Sequence, residues 1–389
     1  MDNKVYIIKC LNYQEADHKL AQLMAAMGGM KQFAKPGEKI VLKVNLLQAA
    51  KPEQAVTTHP AVMAAVARLA KAEGAVPIVA DSPGSGYAYD KKSLEKTYRV
   101  SGMKKAAQDM GAELNLDDTY DSVFFREGKL IKRFEIISAI RNADAVFNLC
   151  KLKTHLFMHF TGAVKNLFGV IPGLTKPGYH AKLHDKNKFA NMLLDLAAYV
   201  SPRLSIMDGI IGLEGEGPGA AGEPRHVGVL LASRNPLALD VVACEIIGLD
   251  RKHNPLLIAA EKRGLHPNRI EDVEVIGPDL AEFRVKDYKF PATFFEGAGM
   301  GGLSWWQKAL SPLFKTGMTL KPVVNPKKCT ACGVCRDACP EDAITIIEKN
   351  HAHINRDLCI RCYCCHEMCQ YSAIDLQKSM LYRVINRNS

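Results

Sequence analysis

The chain of 389 residues contains no apolar run approaching the roughly 20 residues of a membrane-spanning helix. Met1 to Tyr13 lacks the basic start and apolar core of a secretory signal, so cytoplasm is the expected compartment. The turn after the first apolar segment, Cys10-Leu11-Asn12-Tyr13, has none of the glycines of G-x-G-x-x-G. A Walker A run is missing too, and Gly84-Ser85-Gly86 is not a nucleophile elbow. Gly215-x-Gly217-x-Gly219 carries Pro218 inside it and does not sit between a strand and a helix start in the dinucleotide-binding manner. Nicotinamide, flavin and nucleotide chemistry are therefore not expected. The formal charge of +10 has no single basic block behind it, which disfavours nucleic acid as a partner. Tryptophan is scarce: the two present, Trp305 and Trp306, adjoin in one short stretch that suits packing between domains or docking better than a membrane surface.

Cysteine, by contrast, is abundant and periodic. Cys329-x2-Cys332-x2-Cys335-x3-Cys339-Pro340 recurs as Cys359-x2-Cys362-x2-Cys365-x3-Cys369, each cysteine thirty positions after its counterpart, and Ala343-Ile344 is matched by Ala373-Ile374. Disulfides would call for an exported chain, and zinc sites use two separated pairs; three thiols at x2-x2 spacing plus Cys-Pro suit a four-iron cubane. The segment resembles the two-cluster bacterial ferredoxin domain over residues 321–378, with small strands around Thr345 and Ile354. That resemblance implies two [4Fe-4S] clusters. Cys329, Cys332, Cys335 and Cys369 would hold one, and Cys339, Cys359, Cys362 and Cys365 the other. Gln370 departs from the pattern, because proline commonly follows the fourth cysteine. Cys364, opposite Val334 in the repeat, reads as a packing residue beside a cluster, and Cys10, Cys150 and Cys244 as buried free thiols.

The other three hundred residues must bury a core of their own. Strand-like residues 5–10, 39–47, 77–81, 145–150, 204–208 and 227–232 alternate with helix-like residues 14–27, 60–73, 188–200 and 236–247. The pattern predicts an α/β domain with a mainly parallel sheet and flanking helices, joined to a small C-terminal α+β ferredoxin-like domain. The expected boundaries are 1–300, a connector at 301–320, the cysteine-rich domain at 321–378 and a tail at 379–389.

Polar residues gather at the carboxyl ends of these strands, where open α/β sheets keep their ligands. Alternation puts Lys151, Lys153 and His155 on one face if their strand stays extended, and Lys43 and Asn45 show the same two-residue spacing. Lys165 and Asn166 lie in a predicted short helix over 161–168, whose free backbone N–H groups would add to a positive field. Thr58, His59 and His180 are further ligand-binding candidates. Asp81 and Asp208 each end a strand, and their approach would permit a metal or acid/base role. Lys151, Lys153, His155, Asp81 and Asp208 are thus the catalytic candidates, with a small carboxylate or phosphate as the ligand class. The set Lys43-x-Asn45, Thr58-His59-Pro60, Asp81-Ser82-Pro83-Gly84, Lys151-x-Lys153-Thr154-His155, Gly162-x-x-Lys165-Asn166, Asp208-Gly209, and Gly217-Pro218 through Leu239-Asp240 resembles the domain of unknown function 362 (DUF 362) family over about residues 40–245. The family carries no general reaction to transfer, though it often occurs joined to ferredoxin-type clusters. The expectation is an iron-sulfur electron-transfer protein or oxidoreductase that exchanges electrons with an external redox protein. Two other readings stay open: a ferredoxin-like carrier whose larger domain only docks a partner, and a binding or maturation factor with structural clusters.

Overall fold

The computed structural model describes residues 2–295, 320–348 and 350–377. The connector with both tryptophans, the closing point expected near Gly299 and the tail lie outside the described residues.

The strands are β1 (Lys4–Lys9), β2 (Lys39–Lys43), β3 (Val76–Ala80), β4 (Glu113–Leu114), β5 (Tyr120–Phe124), β6 (Arg133–Ile137), β7 (Ala145–His155), β8 (His159–Thr161), β9 (Leu204–Gly215), β10 (Gly222–Ser233) and β11 (Glu274–Ile276). Nine of them form one sheet in the order β11-β1-β10-β9-β7-β2-β3-β4, with β8 paired to β7. The pairs β1/β11, β9/β7, β7/β2, β2/β3 and β3/β4 are parallel; β1/β10, β10/β9 and β7/β8 are antiparallel. The sheet is therefore mixed and mostly parallel, as the alternation predicts. β5 and β6 make a separate antiparallel hairpin.

Side-chain alternation divides the core in two. On β7, Val146, Cys150 and Leu152 join one apolar cluster, while Ala145, Phe147 and Leu149 join another across the sheet. All eleven residues of β7 are buried, as befits a central strand covered on both faces. Helices start where the sequence supplies caps and prolines. Asp185 accepts from the Lys188 N–H before the helix Lys186–Val200, and Asn235 and Asn254 do the same for helices opening with Pro236 and Pro255.

Two elements differ from expectation. β9 and β10 are each twelve residues long, so the glycine-rich stretch expected to separate two short strands largely lies within a long hairpin. The helix expected over 161–168 is interrupted: β8 ends at Thr161, and only Ala163–Asn166 is α-helical before a 3-10 turn.

The cysteine-rich segment contains two short antiparallel pairs, β12 (Lys321–Val324) with β15 (Ile374–Gln377) and β13 (Ile344–Ile347) with β14 (His351–Ile354). One short helix, Val334–Asp337, occupies the first half, and its repeat partner, Cys364–Met368, the second. The second helix faces the α/β domain. Cys364 and Met368 pack with Leu47 and Tyr87, and Tyr363 packs with Leu156.

Candidate functional site: a lysine-lined cavity beside two cysteine groups

The eight repeat cysteines fall into two groups. Cys329, Cys332, Cys335 and Cys369 border one small cavity; Cys339, Cys359, Cys362 and Cys365 border a second. All eight are free thiols. Backbone donors already point at the sulfurs: Ala343 N–H donates to Cys339 Sγ at 3.3 Å, and Ala373 N–H, thirty residues on, donates to Cys369 Sγ at 3.2 Å. Ala352 N–H donates to Cys329 Sγ at 3.4 Å. Among the described residues, no three Cys, His, Asp or Glu side chains converge as a single metal ion needs. Thiols spread round a space, with N–H donors behind them, fit an iron-sulfur cubane and not one tetrahedral zinc. Cys364 is buried and packs against Ala338 and Met368. Cys10, Cys150 and Cys244 are buried free thiols, and burial pushes the Cys10 thiol up to about 11.

A cavity of about 60 Å³ lies where the carboxyl ends of β2, β3 and β7 meet the second cysteine helix. The residues that give it charge are Lys43, Asp81, Lys153, Lys165, Lys176 and Glu367. Lys43 Nζ is 2.8 Å from Asp81 Oδ1, and both are buried. Lys153 has no carboxylate; it donates to Asn45 Oδ1 at 2.7 Å and to the Val56 carbonyl at 2.8 Å. Asn45 in turn donates to Asn166 Oδ1 at 2.8 Å, so a chain of amides holds the ammonium in place. Lys176 donates to the Ser82 carbonyl and hydroxyl at 2.9 and 3.1 Å and to the Pro83 carbonyl. Burial pushes this ammonium down to about 7. Lys165 Nζ lies over the rings of Phe168 and Phe189, 5.5 and 5.7 Å from their centroids.

Two histidines complete the wall. His155 Nδ1 accepts from the Phe157 and Met158 N–H groups at 3.1 and 3.3 Å, leaving Nε2–H as its donor. His180 stacks on Phe189 with centroids 4.6 Å apart, and burial holds it neutral, down to about 3.

Lys43, Asn45, Asp81, Lys153, His155, Lys165, Asn166 and His180 thus line one cavity. Lys151 and Asp208 do not. The second apolar cluster takes Phe147 and Leu149 from β7 but Leu42 and Val44 from β2, so alternation sends Lys151 and Lys43 to opposite faces. There Lys151 pairs with Asp208 at 2.8 Å and donates to Tyr13 Oη at 2.9 Å, while Tyr13 donates to Asp208 Oδ1 at 3.1 Å. Asp81 and Asp208 accordingly neutralise different lysines and do not approach one another. Thr58 bridges Asn45 N–H and the Leu149 carbonyl, and His59 caps its helix through Nδ1 and stacks on Tyr13 at 3.5 Å. Neither lines the cavity. The N–H groups of Ala163 and Val164, expected to face a ligand, are taken by the buried Asp240 carboxylate.

Three residues at the cavity and its border escape sequence reasoning. Lys176 opens the short helix Lys176–Lys182, which has no apolar periodicity to announce it. Glu367 corresponds in the repeat to Asp337, which is exposed, whereas Glu367 is buried with its carboxylate 3.1 Å from His155 Nδ1. Gln370, where proline is usual, donates to Tyr87 Oη at 2.5 Å. The departure from the ferredoxin pattern is therefore an interdomain contact. Close approach also needs glycine: a Cβ on Gly86 would sit 2.7 Å from the Val334 carbonyl, and one on Gly219 2.1 Å from the Glu367 carbonyl.

Comparison with known proteins agrees with this division. Residues 322–345 match the 4Fe-4S binding domain model. Over 62 residues, 15% of this chain and 72% of the relative, the sequence is 37% identical to pyruvate synthase subunit PorD of Methanocaldococcus jannaschii. It is 36% identical over 280 residues to a thylakoid-associated protein of Synechocystis sp., covering 70% of this chain and 83% of the relative. Among solved structures, the lactate racemase apoprotein of Thermoanaerobacterium thermosaccharolyticum superposes with a TM-score of 0.41 and 11% identity, over 64% of this chain and 58% of that one. Among the described residues no helix is long and apolar enough to cross a membrane. Residues 40–245, which supply the lysine-lined wall of the cavity, match the model named domain of unknown function (DUF 362), and the chain belongs to that family.

Proposed function

We propose that this protein is a two-cluster electron-transfer protein in which the cysteine-rich domain, residues 321–378, exchanges electrons between an external redox protein and an anion held in the lysine-lined cavity. Cys329, Cys332, Cys335 and Cys369 would hold one [4Fe-4S] cluster, and Cys339, Cys359, Cys362 and Cys365 the other. Bound there, such clusters supply one-electron transfer. The observation that carries the reading is a shared helix. Cys364–Met368 contributes Cys365 to the second cysteine group and, two residues later, Glu367 to the cavity wall.

The chain's own residues prepare the cavity for negative charge. Asp81 and the amides of Asn45 and Asn166 orient Lys43 and Lys153, and the backbone of Phe157 and Met158 fixes His155 as an Nε2–H donor. Burial excludes bulk water, which strengthens each of these interactions. Among the sequence candidates this reading keeps Lys153, His155 and Asp81 at the site and assigns Lys151 and Asp208 to the scaffold.

A second reading, a carrier whose α/β domain only docks a partner, draws on the likeness to PorD, which covers 15% of this chain. One experiment separates them. Protein reconstituted with iron and sulfide is reduced anaerobically, mixed with a panel of small anions, and followed by the return of the visible cluster absorbance. Wild type should be reoxidised by at least one anion, and Lys153→Met at least tenfold more slowly. Anions that bind and leave the clusters reduced would instead favour the docking carrier.

A further inference from the structure

Counting charges around the cavity exposes an imbalance. Four ammonium groups, Lys43, Lys153, Lys165 and Lys176, face two carboxyl groups, Asp81 and Glu367. Asp81 is committed to Lys43 at 2.8 Å. Lys153 and Lys176 have only neutral acceptors, and among the described residues Lys165 has no hydrogen-bond or ion-pair acceptor at contact distance, only two aromatic faces and the field of the nearby Glu367 carboxyl. Glu367 stands opposite His155, whose Nδ1 is already occupied by two N–H donors. With all four lysines protonated and Glu367 ionised, the wall would carry two positive charges more than it neutralises, an excess that burial opposes by favouring the neutral amines.

Unused polar atoms mark the same place. Glu367 Oε1 is an unpartnered buried acceptor of the same wall and would repel an anion set against it, whereas Thr161 Oγ1 and His180 Nδ1, which can donate, both line the cavity, are more than nine-tenths buried and have no hydrogen-bond partner. Buried polar atoms are seldom left so in a protein interior, and two beside an unmatched ammonium form a ready set of contacts. Size narrows the ligand further. A cavity of about 60 Å³ is small, which favours a compact anion over a nucleotide or sugar phosphate.

We infer that the cavity binds a small divalent oxyanion of about five non-hydrogen atoms, of the sulfate or orthophosphate class, contacted by Lys165, Thr161 and His180. This rests on the cavity of the proposed function and not on its electron transfer. Burial lowers the Lys176 ammonium to about 7, and a bound dianion would favour its charged form.

The test is calorimetric titration of the full-length, cluster-loaded protein with sulfate and with orthophosphate at constant ionic strength, using chloride as the monovalent control and glucose 6-phosphate as the oversized one. Either divalent anion should bind one per chain, with chloride and glucose 6-phosphate at least tenfold weaker. Lys165→Met and Thr161→Val should each weaken binding at least fivefold while iron content and visible spectrum stay unchanged. Thr161→Val removes one hydroxyl at constant shape, so it decides the matter if Lys165→Met does not fold. No heat with either divalent anion, equal binding of chloride or glucose 6-phosphate, or indifference to Thr161→Val would overturn the inference. Tight binding without cluster reoxidation by any anion would leave it standing and remove the electron-transfer reading.

Discussion

Glu367, from the cysteine-rich segment, and His155, from the end of β7, meet at 3.1 Å with both side chains buried. They join the two parts of the molecule at the one point where a cysteine helix and the lysine-lined cavity share a wall. Burial raises the Glu367 carboxyl above its usual range, opposed by the nearby Lys165 ammonium. The favourable partner of the Glu367 carboxyl is thus Lys165 and not the neutral His155, whose Nδ1 already accepts two N–H groups, and charge at position 367 should govern docking.

Replacing Glu367 with lysine would set another ammonium beside Lys165 and Lys153. An uncompensated buried charge costs about 3–5 kcal/mol. Glu367→Lys should therefore lower the melting temperature by roughly 6–20 °C, at about 2–4 °C per kcal/mol, whereas Glu367→Gln should change it by only a few degrees. Equal melting temperatures for the two variants would mean that the contact does not hold the domains together.

Iron analysis tests the cysteine assignment. Anaerobically reconstituted protein should hold about eight irons and eight acid-labile sulfides per chain, from two four-iron clusters. Cys362→Ser should lose about four of each. Cys364→Ser should keep all eight, because Cys364 lines neither cysteine cavity and a serine hydroxyl can replace the hydrogen bond its thiol shares with Cys362. About two zinc ions per chain with no visible chromophore would defeat the assignment.

Gly219 offers an independent probe of the interface. Its Cβ position is 2.1 Å from the Glu367 carbonyl, a backbone atom that cannot rotate away. Gly219→Ala should separate the surfaces, costing roughly 1–3 kcal/mol, as other overpacking substitutions do. Gly178→Ala, where no atom lies within 4 Å of the added Cβ and where, as at Gly219, φ is not positive, controls for added side-chain volume. A cysteine-rich fragment beginning near Met318 keeps the apolar residues around Ile344, Ile354 and Ile374 but exposes Met368, Cys364 and Tyr363. It should reconstitute its clusters and be less stable to urea than the same segment in the full chain.

How much of this was legible follows from the range of each signal. Local periodicity located the parallel strands and their flanking helices, and the thirty-residue repeat announced both cysteine groups. The cavity depended on facts with no local trace. Lys151 and Lys43 have the same spacing to the next polar residue, yet the parity of two different strands relative to their neighbours sends them to opposite faces. Asp240 was visible as a polar residue, but its role as acceptor for the Ala163 and Val164 N–H groups depends on a packing made 77 and 76 residues away. Glu367 and Gln370 sit inside a recognisable motif that their own roles do not serve. A departure from an internal repeat, Asp337 against Glu367 and Ala338 against Met368, is the trace from which that interface could have been found.

The pH dependence of anion binding follows from the lysines. Burial lowers the Lys176 ammonium to about 7 from its ordinary 10.5, with Asp81 opposing the shift and Lys43 and Lys165 adding to it. Below about pH 7 the group is charged in folded and unfolded protein alike, and the cost of burying that charge is fully present. Between about 7 and 10.5 the unfolded chain binds the extra proton, so the ligand-free fold gains stability as pH rises through this window. Anion binding runs the other way, because a dianion needs the charged form. Sulfate keeps its charge throughout, so its affinity should hold steady below about pH 7 and then fall, approaching tenfold per pH unit for each lysine that must be reprotonated. Binding above pH 7 should draw protons from the buffer, seen as a heat that scales with buffer ionisation enthalpy. In Lys176→Met the sulfate affinity should be weaker at pH 6 and flatter between pH 7 and 8. An affinity that stays constant from pH 6 to 9 in wild type would show that Lys176 does not share its charge with the bound anion.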